Sequence, residues 1–252
     1  MEPQLLHTVE DGIATVVIHH PAKRNAMTTG MWRELPPLLG RLAAEPTARA
    51  LVLTGAGDTF CAGADISSIP EPSPPGEDPQ SLSVRAEEAL AAFPLPTIAA
   101  VRGHCVGGGC QLAAACDLRF AEEGALFGIT PARLGIVYRE SSTRRLASLV
   151  GPATAKYLLF SAELIDAERA LRTGLADEVL PPGELGKRVA EFARVLASRS
   201  RLTQTAAKEF LSGRTGRDAY WVEQMRDSGD TAEGVAAFLE RREPVFGWTP
   251  AG

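Results

Sequence analysis

The chain has 252 residues, enough for one large domain or a domain with an appendage, and its 45% hydrophobic and 23% charged content is that of a globular protein. A formal charge of −5 argues against the basic surface that nucleic-acid binding requires. No run of about eighteen apolar residues and no basic-then-apolar leader is found, so a cytoplasmic protein without a membrane segment is expected.

Taken in chain order, Asp11-Gly12 between residues 5–9 and 13–19 predicts a β-hairpin with a tight turn. A loop over 21–26 leads to a helix, capped by Thr28 or Thr29 and running to about residue 44. Pro36-Pro37 is expected to kink or restart that helix. Residues 49–54 predict a short buried strand, closed by Gly55-Ala56-Gly57-Asp58. The stretch 68–83 carries five prolines among Ser, Glu and Gly, so a mobile loop long enough to act as an active-site flap is expected. A helix over 84–93 and a strand over 97–101 then lead into the glycine run, with short strands at 117–121 and 125–127. From about 142 onward the pattern is helical, over 143–150, 153–160, 166–173, 184–198, 202–211, 220–227 and 231–242, interrupted by a strand at 177–180.

The four cysteines, Cys61, Cys105, Cys110 and Cys116, lie in small-residue or apolar surroundings without Cys-x-x-Cys spacing, which predicts buried thiols rather than metal ligands or disulfides. His7, His19, His20 and His104 form no metal motif, and His104 reads as a structural histidine beside the glycine run. No metal and no separate cofactor is expected. The glycine run lacks the G-x-G-x-x-G spacing of a dinucleotide fold.

Gly107-Gly108-Gly109 opens the apolar helical run 112–116. Glycines at a helix start leave backbone N–H groups bare, and the helix dipole adds partial positive charge, which suits an oxyanion. Earlier, Phe60-Cys61-Ala62-Gly63-Ala64-Asp65-Ile66 is a second glycine turn after a short buried strand. Each turn can offer one N–H to a common point.

These two segments, with Lys23-Arg24-Asn25-Ala26-Met27, Phe127-Gly128…Leu134-Gly135, Gly174-Leu175-Ala176-Asp177-Glu178-Val179 and Glu233-Gly234-x-x-Ala237-Phe238-Leu239-Glu240-Arg241-Arg242, resemble the crotonase (enoyl-CoA hydratase/isomerase) superfamily over nearly the whole chain. The resemblance implies an α/β fold: a ββα spiral core binding a CoA thioester, placed at 1–195, and a helical C-terminal oligomerisation region, 196–252, that mediates trimerisation. It further implies an acyl-CoA substrate as partner, a homotrimer or dimer of trimers, and CoA present only as part of the substrate. Carried over by position, the N–H groups of Ala64 and Gly108 would hold the thioester oxygen. Ala26, Ala62, Ala64, Asp65 and Ile66 would line the CoA path. Lys23 and Arg24 would sit near its phosphates or remain solvated loop charges.

The departures bear on the reaction. Hydratases of this superfamily carry glutamates where this chain has Gln111 and Pro131. Syn addition of water uses one carboxyl to accept a proton and one to donate it, and a glutamine amide does neither at neutral pH. Ordinary hydration is therefore not expected. Thr130-Pro131 followed by Tyr138 resembles the methylmalonyl-CoA decarboxylase branch, although that branch has histidine in place of Ala64 and glutamate in place of Gln111. The alternatives are thus an enolate-forming enzyme, a decarboxylase of a malonyl-type CoA thioester, or a non-catalytic acyl-CoA-binding subunit. Thr130 either contacts the acyl group or is a structural hydroxyl, and Tyr138 either faces that group or packs over its pocket. Glu140 is either a relocated acid/base or a surface partner of Arg139, Arg144 or Arg145.

Overall fold

Strand β1 (Gln4–Glu10) turns through Asp11 and Gly12, both left-handed at φ 50° and 78°, into β2 (Ile13–His19), which pairs with it antiparallel. Two successive positive φ values are what a tight hairpin turn demands. Helix α1 (Thr29–Ala43) starts where the Thr28 side chain accepts the N–H of Met31. It runs unbroken through Pro36 and Pro37, contrary to the expected kink. A proline inside a helix costs about 3 kcal/mol, whereas each fully buried large apolar side chain contributes roughly 1.5–3 kcal/mol. Met31, Trp32, Leu35, Leu38, Leu39 and Leu42 are all buried on one stripe, so packing outweighs the two lost backbone hydrogen bonds.

Strand β3 (Ala50–Gly55) follows, and then helix α2 (Pro79–Ala91). The computed structural model describes residues 2–68, 77–213 and 215–249. The expected flap at 68–83 is therefore shortened from its C-terminal side, because α2 begins at Pro79 with the Asp78 carboxylate capping Ser81 N–H. Residues 69–76 of that expected loop lie outside the described residues. Pro79 fits because the first turn of a helix needs no donor from it.

Strand β4 (Thr97–Val101) does not lead directly into the glycine run; a short strand, β5 (His104–Val106), intervenes. Helix α3 (Gly108–Ala115), β6 (Leu118–Glu122) and β7 (Leu126–Gly128) come next. The two helices expected at 143–150 and 153–160 belong to α4 (Glu140–Ser161), bent at Gly151, whose φ of 73° is non-helical and which precedes Pro152. Then come β8 (Ile165–Asp166), α5 (Ala167–Thr173), β9 (Glu178–Leu180), α6 (Leu185–Ala197), α7 (Arg201–Leu211), α8 (Asp218–Ser228) and α9 (Asp230–Glu240). Strands β5 and β8 were not legible in the sequence because three and two residues carry no usable alternation.

The strands form a six-stranded sheet ordered β1-β2-β3-β4-β6-β9, parallel except for the first hairpin, and a smaller sheet ordered β5-β7-β8. Both faces of the parallel part are covered, as parallel sheets require. Leu51, Leu53, Ala99, Val101 and Ala121 point into the main core with α1, α2 and α3. Val52, Ile98, Ala100 and Phe120 meet Leu185, Val189 and Ala193 of α6 on the other face. Bridges Cys61↔Cys105 and Met27↔Ala64 lace the loop after β3 between the small sheet and the start of α1. That lacing is what brings two glycine turns together.

Among the described residues, no helix is long and apolar enough to cross a membrane.

Candidate active site

The first donor lies in the loop after β3. From residue 60 to 65, Phe60 N donates to Arg102 O, Cys61 N to His104 O, Ala62 N to Arg24 O, Gly63 N to Cys61 Sγ and Asp65 N to Met27 O. Among the described residues, only the N–H of Ala64 in that stretch has no acceptor. Buried backbone donors are rarely orphaned unless a ligand takes them. Gly63 reaches this arrangement at φ 106°, a conformation that side chains resist.

The second donor is at the start of α3. Gln111 N closes the first helical turn onto Gly107 O, and Gly107 N is held by Gly128 O, so Gly108 is the first helical residue whose N–H has no carbonyl behind it. The two turns touch. A β-carbon built on Gly108 would lie 3.9 Å from Ala64 N, and one on Gly63 would lie 3.6 Å from Gly108 N. Trp32, from α1, forms the floor: its Cζ2 would be 2.9 Å from a β-carbon at Gly108.

Two hydroxyls lie near Gly107. Thr130 Oγ1 and Tyr138 Oη would lie 3.6 and 3.7 Å from a β-carbon on Gly107. Burial, then neighbouring Cys110 and Glu87, pushes the Tyr138 hydroxyl above its usual titration range, so it stays protonated and can donate. Below the turn lies a small cavity of about 10 Å³, lined by Glu87, Gln111, Ile129, Tyr138, Ser142 and Arg145 among others. Gln111 lines this cavity from the first turn of α3, the helix that begins at Gly108.

The residues expected along the CoA path divide. Lys23 Nζ donates to both oxygens of Asp65, at 2.8 and 2.7 Å, and to Ser67 Oγ at 2.6 Å. Burial alone would raise the Asp65 carboxyl; Lys23 and Ser67 outweigh it and hold it below the ordinary range. Lys23 is thus an ion-pair partner as well as a loop cation. Arg24 is exposed in a left-handed conformation, Ala26 is buried, Ala62 and Ala64 are half-buried, and Ile66 is 58% exposed.

Glu140 lies away from this arrangement. It is exposed at the start of α4 and pairs with Arg144 at 2.6 Å, so the structure brings it to the surface and not to the cavity. His104 is half-buried in β5, its carbonyl accepting Cys61 N–H. All four cysteines are free and buried; desolvation drives Cys61 and Cys116 up to about 12, which leaves them as inert thiols. No group of three His, Cys, Asp or Glu suited to a metal occurs among the described residues.

Sequence reading missed Glu87, Ser142, Trp32 and Asn25. Asn25 clamps the loop: its Oδ1 accepts His20 N–H, and its Nδ2 donates to Ala56 O and Thr59 O. Glu87 had one visible signal, a carboxylate on the buried stripe Leu82, Ala86, Leu90 of α2. It is 1% exposed, accepts Ser142 Oγ–H at 2.6 Å, and is raised from 4.5 to about 7 by burial, against the opposing pull of Ser142 and Arg145. A raised carboxyl means the folded protein holds a proton that the unfolded chain releases. The stabilisation is full below about pH 4.5 and is lost as pH rises through about 7. Glu87→Gln should therefore flatten the stability profile, the gap between wild type and variant changing by up to about 3 kcal/mol across that window. Urea unfolding of both proteins at pH 4.5 and 8 checks it.

A family model described as enoyl-CoA hydratase/isomerase matches residues 8–248. The chain is 34% identical to crotonyl-CoA hydratase of Syntrophomonas wolfei, over 94% of this chain and 95% of that protein. It is 32% identical to (E)-benzylidenesuccinyl-CoA hydratase of Thauera aromatica, over 94% and 96%. Among solved structures, an enoyl-CoA hydratase/isomerase family member superposes with a TM-score of 0.93 at 39% identity, covering 100% of this chain and 99% of that one. Enoyl-CoA hydratase from Bacillus anthracis gives 0.87 at 29% identity, over 96% and 98%.

Proposed function

The chain belongs to the enoyl-CoA hydratase/isomerase family, and from that premise we propose that it transforms an acyl-CoA thioester through an enolate held by the N–H groups of Ala64 and Gly108. The observation that carries this reading is the pair of unsatisfied backbone donors brought together by two facing glycine turns. Charge develops on the thioester oxygen only as the enolate forms. Donors fixed in place beforehand therefore favour the transition state over the bound substrate. The N-terminus of α3 adds its dipole at the same point.

Removal or delivery of a proton at carbon is the remaining task. Gln111 can orient a group by hydrogen bonding but exchanges no proton at neutral pH, and Pro131 offers no polar side chain. Hydration by two carboxyls is therefore not the reaction this site favours. A second reading, loss of carbon dioxide from a malonyl-type thioester, is supported by Thr130 and Tyr138, whose hydroxyls converge over Gly107 where they can orient a carboxylate. Ala26, Ala62, Ala64, Asp65 and Ile66 line the CoA path in this reading, with Lys23 and Arg24 toward its phosphates. CoA enters only as part of the substrate, and four buried free thiols accord with a reducing, cytoplasmic setting.

Purified protein assayed side by side with crotonyl-CoA, 3-butenoyl-CoA and methylmalonyl-CoA tests the assignment. Double-bond migration or decarboxylation should exceed hydration. Fast hydration of crotonyl-CoA, unchanged by Tyr138→Phe, would overturn it; tight acyl-CoA binding with no turnover would instead identify an acyl-CoA-binding subunit.

The C-terminal helices, 196–252, are assigned to assembly as a homotrimer or dimer of trimers. Support comes from a groove lined by Val222, Met225, Val235 and Leu239 and flanked by Phe238, which is 83% exposed. A contiguous apolar surface of this kind marks a contact face. Sedimentation should give three or six chains, and Phe238→Glu with Leu239→Glu should shift the population toward single chains.

A further inference from the structure

Among the described residues, Glu87 is the one carboxylate lining the cavity beside Gln111 and Tyr138, and its two oxygens are treated differently. Oε2 accepts Ser142 Oγ–H at 2.6 Å and stands 3.4 Å from Arg145 Nη1. Oε1 is fully buried and has no hydrogen-bond partner among the described residues. A carboxylate kept for stability would have both oxygens satisfied, because an unpaired buried acceptor is costly. Arg145 compensates only Oε2, through the 3.4 Å ion pair, while its nearer bond, at 2.9 Å, goes to the exposed Glu88. Ser142 thus fixes the side chain by one oxygen and leaves the other unpaired, in a residue that lines the same cavity as Gln111 and Tyr138. Those two residues connect it upward, Gln111 through α3 to Gly108 and Tyr138 through its hydroxyl to Gly107.

We propose that Glu87 is the proton carrier of this site, its Oε1 exchanging a proton with the carbon skeleton of the thioester bound at Ala64 and Gly108. The proposal rests on the enolate reading above and supplies the acid/base that Gln111 and Pro131 lack. In a β,γ-unsaturated thioester the Glu87 carboxylate takes the proton from the α-carbon. The C–H electron pair moves toward the carbonyl, giving a dienolate whose oxygen accepts the two N–H groups. Glu87, now a carboxylic acid, returns the proton to the γ-carbon as the α,β double bond forms and the carbonyl is restored. Atoms and charge balance without a co-reactant. One carboxyl suffices for such a transfer, whereas adding water across the double bond engages two.

The charged and titratable groups around Glu87 are Arg145 from α4, Glu88 beside it on α2, and Tyr138. Burial with this incomplete compensation places its titration at about 7, where both protonation states are populated near neutral pH.

The test follows deuterium uptake from D2O into 3-butenoyl-CoA and its conversion to crotonyl-CoA, for wild type, Glu87→Gln, Ser142→Ala and Gly108→Ala, with butanoyl-CoA affinity measured by calorimetry. Glu87→Gln should lose about 10²–10⁴-fold in both uptake and conversion, with butanoyl-CoA affinity kept within about threefold. Glu87→Asp, which keeps a carboxyl, should recover part of the rate. Ser142→Ala, a positioning change, should move the pH midpoint of the rate upward, because a hydrogen bond to the ionised form is lost. Uptake that survives Glu87→Gln but falls in Gly108→Ala would overturn Glu87 as the carrier while leaving the oxyanion reading intact. No uptake by the wild type, despite acyl-CoA binding, would overturn both.

Discussion

Replacing Gly108 by alanine is expected to lower turnover about 10²–10³-fold, the loss seen when an oxyanion donor is withdrawn. The N–H is chemically retained, so the loss comes from displacement. The new methyl would stand 2.9 and 3.1 Å from Cζ2 and Cη2 of Trp32, a 1% exposed side chain packed beneath the turn. A rigid indole in a close-packed core cannot move away cheaply, so the turn must shift and its N–H with it. Trp32→Phe removes the colliding ring edge and should recover part of the rate in the double variant. The pair would then be strongly non-additive, as residues in direct contact are. Gly40→Ala is the control: it lies exposed on α1 with nothing within 4 Å of the new methyl, and should leave turnover unchanged. Steady-state kinetics of wild type, the two single variants, the double variant and the Gly40→Ala control decides the matter. Equal losses for Gly108→Ala with and without Trp32→Phe would remove Trp32 from the account.

The largest expected stability effect lies elsewhere, at Arg119 on β6. The side chain is 2% exposed, and its donors are spread over four acceptors: Leu175 O at 3.0 Å, Cys116 O at 2.9 Å, Asp117 O at 3.3 Å and Asp177 Oδ2 at 2.8 Å. It thereby ties the end of α3 and the start of β6 to the turn before β9, while Asp177 also accepts Arg119 N–H. Arg119→Met keeps much of the volume and removes every donor. The carbonyls of the buried residues Leu175 and Cys116 then lose their partners, while the Asp177 carboxylate, a third exposed, is left to water. Two unsatisfied carbonyls cost about 3–5 kcal/mol, read as a fall in Tm of about 10 °C for a chain of this length. Arg144→Ala, which breaks the exposed pair with Glu140, should leave Tm within measurement error, because water serves both charges as well as each other does. A small effect at Arg119 would mean that the three carbonyls find other donors on relaxation.

The two glycine turns were readable before any coordinates because their chemistry is local. A positive φ at Gly63 and Gly107, and a bare helix start at Gly108, depend on residues at those positions and their immediate neighbours. The same locality made the first hairpin and most of the C-terminal helices legible. Where local propensity competed with packing it misled, as at Pro36 and Pro37: the apolar stripe of α1 holds the helix through both. Glu140 is a carboxylate close in sequence to Tyr138. The start of α4 turns it to solvent, where Arg144 takes it.

By itself, then, the sequence determined the family, and it located the two glycine turns whose N–H groups are proposed as oxyanion donors and the Gln111 and Pro131 positions on which the proposed loss of hydration rests. Only the tertiary structure decided that Glu87 is buried against Ser142 in the cavity that Gln111 lines. Glu87 is 55 residues from Ser142 and on a different helix, and nothing in the spacing of either announces the other. A backbone turn is set by the torsions of a few consecutive residues and so can be read along the chain. The convergence of side chains from α2, α3 and α4 on one cavity is set by how helices pack, and that is decided by the whole core at once.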